Sequence, residues 1–386
     1  MTALIDDVLR QAVGRGAAAG IVAAAATRDG TFYEGAFGKR SVDAPAPMTT
    51  DTIFRIFSMT KAVVSVAAVK LAEQGKLDLD APVERYRPEF AELQVLEGFD
   101  GDRPRLRAPK RKATVRQLLT HTSGLVYEFW NANMAKYLAV TGNPSFLSGT
   151  KKGIAYPLAF DPGERWDYGV GIDWVGQVVE TVSGKRLDAY CYDEIFAPLG
   201  MPDTGFECEG EKRSRLTGVH ARGADGSLSV IALDPPSNPE IYCAGFALYS
   251  TAADYVRFLR MLLNKGSLDG ATILKPETVD MALANHIGSL EIGNLVSVAP
   301  AITFDAEFFP GMPKGHSLVT LINNEQARGM RSAGSHCWAG ALNTFFWFDP
   351  KRDIAGVILM QSLPFVDPRA VDVLVDFEKA VYAGLA

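Results

Sequence analysis

The sequence predicts an α/β fold in which one antiparallel sheet is built from both ends of the chain, flanked by helices, with a mainly helical region inserted between its two parts. Three observations lead there. Strand-like runs lie near the N-terminus, further strand-like runs lie near the C-terminus, and runs of helical length and apolar spacing fill the middle.

Residues 4–13 read as a short amphipathic helix. Gly20–Thr27 and Thr31–Phe37 read as strands joined at Asp29-Gly30, where a type I′ turn is expected because glycine accepts positive φ. Met59–Gln74, Val115–Leu119, Ile172–Val182, Leu187–Phe196 and Ala252–Asn264 read as helices. Asn343–Phe348 and Ile354–Gln361 are strand-like around the turn-rich DPKRD, and a helix over Pro368–Tyr382 follows. The expected division is a discontinuous sheet domain, 1–57 with 245–386, and a mainly helical region, 58–244, with the active site at their interface. Two long Gly- and Pro-containing stretches, 142–163 and 288–335, are candidate walls or lids of that site.

A chain of 386 residues with 47% hydrophobic and 22% charged content can bury a large core and has an ordinary globular composition. Its formal charge of −6 gives no basis for a nucleic-acid partner, which needs a concentrated basic surface. One basic run, Arg103 to Lys112, is preceded by Glu97, Asp100 and Asp102 and interrupted by Pro104 and Pro109; it is expected to be a solvated surface loop. Asp6 and Asp7 interrupt the apolar pattern of the first residues, which departs from an export signal, and no uncharged apolar stretch reaches the roughly 18 to 20 residues of a membrane span. The expectation is a cytoplasmic protein without membrane contact. Cys191, Cys208, Cys243 and Cys337 are scattered, with no CxxC pair, and read as reduced thiols.

Ser58-Met59-Thr60-Lys61 fits S-x-x-K, in which positions i and i+3 share one helical face and the amine reaches the hydroxyl. Ser148-Gly149-Thr150-Lys151 fits it equally well, so the spacing alone decides nothing. The two copies differ in setting. From Lys61 the chain continues AVVSVAAVKLAEQ, apolar on nearly all sides and ended by Gly75, which marks a core helix. The second copy lies in a Gly/Pro/Ser stretch with no helix to fix its geometry. At the first turn of a buried helix, burial and the helix dipole both disfavour a charged Lys61, while the same N-terminus favours the oxyanion formed when Ser58 attacks a carbonyl.

The blocks GTFYEGAFGKRS, FRIFSMTKAV, VRQLLTHTSGL, FDPGERWDYGVGIDWVG, APLGMPDTGF, GFALYSTAADYVRFLRMLL and WAGALNTFFWFDP occur in this order over almost the whole chain. On these the sequence resembles the class C β-lactamase-like superfamily, and within it the family VIII carboxylesterases and the lovastatin-transesterase-like acyltransferases. The resemblance implies the serine β-lactamase and penicillin-binding-protein-like fold, Ser58 as the acylated nucleophile, and Lys61 with Tyr168 as its base. It also implies an oxyanion hole of the Ser58 and Ala341 amides. Tyr168 matches the tyrosine of the family's Y-x-N motif, but Val170 stands where the lactamases carry an asparagine. Trp338-Ala339-Gly340 matches the lactamases' K-T-G, without the cation. Both departures favour a neutral ester over a β-lactam.

Tyr127, Phe129 and Trp130 are candidate pocket residues, with core packing as the alternative for each. His121 is expected to stabilise its loop by a hydrogen bond, His336 to be a polar residue at a strand entrance, and Arg331 to be salt-bridged or solvated, with a replacement charge for the missing lysine as its alternative. No G-x-S-x-G, G-K-[ST], H-E-x-x-H or G-x-G-x-x-G occurs, and no cofactor or metal is implied. The expected activity is a cofactor-independent serine carboxylesterase acting on a small-molecule ester, with acyl transfer through the same acyl-enzyme as the alternative. A β-lactamase or D-alanyl peptidase, and a non-catalytic binding module, rank below these.

Overall fold

A computed structural model describes residues 2–384. The central sheet has seven strands: β1 Gly20–Ala26, β2 Thr31–Gly38, β3 Lys314–His316, β4 Leu321–Asn323, β5 Ser335–Gly340, β6 Thr344–Asp349 and β7 Ile354–Leu359. Their spatial order is β3-β4-β5-β6-β7-β1-β2, and every neighbouring pair is antiparallel. The two ends of the chain meet at β1 and β7, where Val22 stands opposite Leu359 and Ala26 opposite Ala355.

Helices α1 Thr2–Gly14 and α5 Pro368–Ala383 pack together, and α4 Ala252–Leu263 packs on β1 and β7. Adjacent residues of β6 show that α4 and α5 lie on opposite faces, because successive strand side chains alternate. Phe346 meets Tyr255 of α4 with ring centroids 5.2 Å apart, and Trp347 meets Phe377 of α5 at 5.5 Å. Cover on both faces explains why β1, β5, β6 and β7 are buried at every position and why β1 reads GIVAAAA instead of alternating.

The helix after Ser58 is α2, Thr60–Glu73, preceded by a 3₁₀ turn over Phe57–Met59. All of Thr60 to Val69 is buried, as its apolar sequence requires, and it packs against α3, Gly171–Ser183. Each fully buried valine or leucine there contributes about 1.5 to 3 kcal/mol. Gly75, at φ +70°, ends the helical path.

Four local expectations change. The Asp29-Gly30 turn is not type I′, since neither residue has positive φ; Thr27 N–H donates to Gly30 O at 2.9 Å, and a bulge at Ala25/Ala26 accommodates the turn. The helix at Leu187 ends its α path at Cys191 and continues as a π turn over Tyr192–Phe196. The stretch 288–335 carries β3, β4 and the start of β5, strands too short for a periodic signal. The first half of the basic run is a hairpin strand, Arg103–Arg107, paired with Val95–Asp100, in which Arg107 bonds both oxygens of the fully buried Asp161 at 2.9 and 2.7 Å, while Lys110, Arg111 and Lys112 follow in an exposed loop as expected. Among the described residues no helix is long and apolar enough to cross a membrane, and the four cysteines are buried and unpaired.

Candidate active site

Ser58 is presented by a constrained turn. Phe57, immediately before it, sits at φ +45°, a left-handed conformation that costs an aromatic residue free energy and persists only where its surroundings hold it. The hold is visible on both sides. Ile56 N–H donates to Leu248 O at 3.1 Å, the Thr344 hydroxyl donates to Ile56 O at 3.1 Å, and the Phe57 ring packs on Phe246. Strand β5 approaches this turn so closely that a Cβ on Gly340 would stand 2.2 Å from Ile56 O. Only glycine permits that contact, which brings Ala339 and Ala341 to the pocket that Ser58 lines.

Lys61, 2% exposed, holds its Nζ 3.1 Å from Ser58 Oγ, 2.9 Å from the Tyr127 hydroxyl and 2.8 Å from Gly245 O. Burial pushes its pKa down to about 7, against the opposing attraction of Asp173 and a smaller one from Cys243. A neutral amine has two N–H groups. With Gly245 O and the Tyr127 oxygen accepting those, its lone pair is directed to the proton of Ser58.

Asp173, in the first turn of α3, is fully buried. Its Oδ1 accepts the Gly245 N–H at 2.9 Å, while its Oδ2 has no partner. A Cβ on Gly245 would stand 2.5 Å from that oxygen and 3.0 Å from the Tyr127 hydroxyl, so glycine is required here too. Burial pushes the Asp173 carboxyl up to about 6, with Lys61 and the Gly245 amide working the other way. The carboxylate thus fixes the residue whose carbonyl fixes Lys61, and it adds a negative charge to the same pocket floor.

The Tyr168 hydroxyl accepts from the Trp338 indole N–H at 3.3 Å, and the Tyr168 ring lies 4.8 Å from Lys61 Nζ. Burial pushes the Tyr168 phenol well above its usual range, while Ser58 and Trp338, both engaging its hydroxyl, oppose this. Tyr168 is backed by an aromatic box, with His121 at 4.8 Å, Tyr127 at 5.1 Å and Trp338 at 5.0 Å between ring centroids. The pocket over Ser58 is narrow, with a volume of about 30 Å³. Phe129, Trp130, Leu295, Ile302, Phe308, Trp338 and Phe365 form most of its wall, and among the described residues lining it none is charged.

The structure therefore brings Ser58, Lys61, Tyr168, Trp338, Ala339 and Ala341 together. Tyr127 lies behind the wall, anchoring Lys61, and Val170 is a fully buried residue preceding α3; neither lines the pocket. The second S-x-x-K is elsewhere: Ser148 Oγ bonds Thr150 at 2.8 Å, and Lys151 opens a one-turn helix, Lys151–Ile154, that the sequence did not suggest. The expected side-chain hydrogen bond of His121 is not formed; its Nδ1 is unpartnered, and its backbone O takes the Asp167 N–H instead. His336 is the second residue of β5, at the strand's entrance as expected, with Nδ1 2.8 Å from Thr320 Oγ1 and its ring stacked on Phe348. Arg331 is buried in a salt bridge with Glu378 and supplies no charge to the pocket. The segment 288–335 provides Leu295, Ile302, Thr303 and Phe308 as a wall.

Three contributors escape sequence reasoning. Asp173 lies within GIDWVG, where a charged residue on an apolar helix was the available signal; Gly245 and the boxed His316, 5.3 Å from His121, had none. Among the described residues no group of three or more His, Cys, Asp or Glu is placed to hold a metal ion.

A β-lactamase family model matches residues 5–380. Lovastatin esterase of Penicillium rubens is 32% identical over 379 residues, covering 94% of each chain. Monacolin J acid methylbutanoyltransferase of Aspergillus terreus is 31% identical over 398 residues, covering 98% of this chain and 95% of the other. The solved structure of unliganded simvastatin synthase from Aspergillus terreus superimposes with a TM-score of 0.84 at 30% identity, over 99% of this chain and 98% of that one.

Proposed function

The chain belongs to the β-lactamase family, and from that premise we propose that it is a serine carboxylesterase that hydrolyses small or medium neutral esters through an acyl-enzyme on Ser58. The observation that carries the reading is the arrangement of Lys61, whose amine stands 3.1 Å from Ser58 Oγ with its other contacts committed to Tyr127 and Gly245. An uncharged, aromatic pocket with Trp338 in place of a cation supports a neutral ester over a carboxylate-bearing β-lactam.

In this reading Lys61 accepts the Ser58 proton as Oγ bonds to the ester carbonyl carbon, and the carbonyl π pair moves onto oxygen. The amides of Ser58 and Ala341 hold that oxyanion; the Ala341 N–H makes no hydrogen bond among the described residues. The tetrahedral centre collapses, the C–O bond to the alcohol breaks, and Tyr168 gives the leaving oxygen a proton, regained from the Lys61 ammonium across the shared pocket floor. Water then attacks the acyl-enzyme by the same route in reverse and releases the acid. The site lies between the sheet region, 1–57 with 245–386, and the helical region, 58–244. A cytoplasmic location belongs to the proposal and is checked by fractionating the host.

Ser58→Ala is expected to abolish hydrolysis of p-nitrophenyl butyrate while leaving the circular dichroism spectrum unchanged. Activity retained in that variant overturns the assignment. A second reading, transfer of the acyl group to an alcohol, is favoured by the similarity to a methylbutanoyltransferase. It shares the acyl-enzyme and differs only in the second nucleophile. Product analysis in an alcohol mixture separates the two: free acid alone supports hydrolysis, and new ester supports transfer.

A further inference from the structure

Beside the catalytic pocket lies a second, partly open cavity of about 310 Å³, bounded by α5, the sheet and the segment from Ala306 to Met312. Two residues, Phe308 and Trp338, line both spaces. They stack with ring centroids 5.4 Å apart and planes inclined by 16°, so together they form a common wall. Phe308 is held in place from both sides. Leu295 and Ala306 exchange backbone hydrogen bonds at 2.9 Å, and Lys314 Nζ donates to Phe309 O and Met312 O at 3.3 and 3.0 Å.

The second cavity is mainly apolar, with Met312, Phe345, Val371 and Leu374 among its lining residues. Arg331, Glu378 and Glu307 also line it: Arg331 and Glu378 are bonded to each other at 2.8 and 2.5 Å, Glu307 accepts from the Gly311 N–H and from Lys314 Nζ at 3.2 Å each, and Arg331 Nη1 is left without a partner. With both carboxylates paired and most of the lining apolar, the cavity favours an uncharged alkyl chain. Its position directly behind the Phe308–Trp338 wall of the pocket over Ser58 identifies which chain: the part of an ester too long for that pocket.

Resting on the esterase reading above, we propose that Phe308 is the partition that sets the chain-length limit of this enzyme, and that the cavity behind it is a binding site for the linear alkyl chain of a longer ester. Phe308→Ala joins the two spaces. Each methylene that then leaves water favours the longer substrate roughly 4-fold.

The test compares kcat/KM for p-nitrophenyl esters of two, four, eight and twelve carbons, and for ethyl, butyl and octyl acetates, in the wild type and Phe308→Ala. The ratio of eight- to four-carbon substrates is expected to rise at least about tenfold in the variant. A rise in the first series places the acyl chain in the cavity, and a rise in the second places the alcohol chain there; either supports the site. Adding Leu374→Trp, which fills the cavity from α5, is expected to return the ratio to its wild-type value. An equal change at all chain lengths, or a ratio that stays high with Leu374→Trp, overturns the proposal. Calorimetric titration with 1-butanol and 1-octanol reads the same preference without turnover. No hydrolysis of any ester with a retained preference for octanol in Phe308→Ala sinks the esterase reading and keeps the site, whereas normal hydrolysis with no chain-length response sinks the site alone.

Discussion

Asp173→Asn tests the electrostatic design of the site. Asparagine retains an oxygen for the Gly245 N–H, so the backbone contact survives and the charge alone is lost. The sign follows from the charges. Asp173 favours the ammonium form of Lys61, so its removal lowers the Lys61 pKa and moves the acid limb of kcat/KM to lower pH. Asp173 Oδ2 and the Tyr127 hydroxyl flank one point at 2.5 and 3.0 Å, and Lys61 Nζ is 2.9 Å from that hydroxyl. Those distances hold the two charges within about 8 Å of each other, and they form no ion pair within about 4 Å, so their interaction is worth about 2 to 4 kcal/mol at an effective dielectric of about 20. The corresponding movement of the acid limb is about 1.5 to 3 pH units. With a Lys61 pKa of about 7, roughly a tenth of the amine is neutral at pH 6, and in Asp173→Asn most of it is. Of the other titratable groups near this floor, burial raises the pKa of Tyr127, Tyr156, Tyr168 and Cys243 and lowers that of His121, and the substitution leaves all five in place. The assay is the pH profile of p-nitrophenyl butyrate hydrolysis, followed at the isosbestic wavelength of p-nitrophenol. An acid limb that stays where it is, or moves up, refutes the reasoning; a lower rate at every pH without movement indicates packing alone.

Tyr168→Phe removes the hydroxyl beside Ser58 and is expected to lower kcat by about 10²- to 10⁴-fold with little change in KM, and a loss under threefold would remove Tyr168 from proton transfer. Gly340→Ala places a methyl group 2.2 Å from Ile56 O; displacement of the Ser58 turn is expected to cost about 1 to 3 kcal/mol, seen as a lower thermal midpoint together with lost activity. Glu378→Gln leaves the Arg331 guanidinium buried without its counter-charge and is expected to destabilise the protein by about 3 to 5 kcal/mol, measured as the denaturant midpoint.

The elements legible in the sequence are those whose burial leaves a long apolar or periodic trace. α2 is the clearest, since a helix buried on every side has no polar face to obscure, and the same trace identified which S-x-x-K to weigh. The short strands β3 and β4 span three residues each and are defined by their partners, so no local pattern announces them. The nucleophile and its nearest lysine were readable because three residues of sequence span one helical turn. Tyr127, Asp173 and Gly245 reach Lys61 from positions 66, 112 and 184 residues away, and only the folded chain makes them neighbours. His121 failed in a different way: its residue type suggested a polar role, and its ring is spent on aromatic packing with Trp166, Tyr168, His316 and Trp338.

The pairing of β1 with β7 also has a temporal side. A ribosome releases residues 20–26 long before residues 354–359, and at about 5 to 20 residues per second the interval is on the order of 15 to 70 seconds. During it the Ala-rich strand has only its hairpin neighbour, and the left-handed Phe57 lacks the Thr344 hydroxyl and the close approach of Gly340 that hold it. The turn that presents the nucleophile is consequently left unbraced until residues 340–344 emerge, when translation is nearly complete.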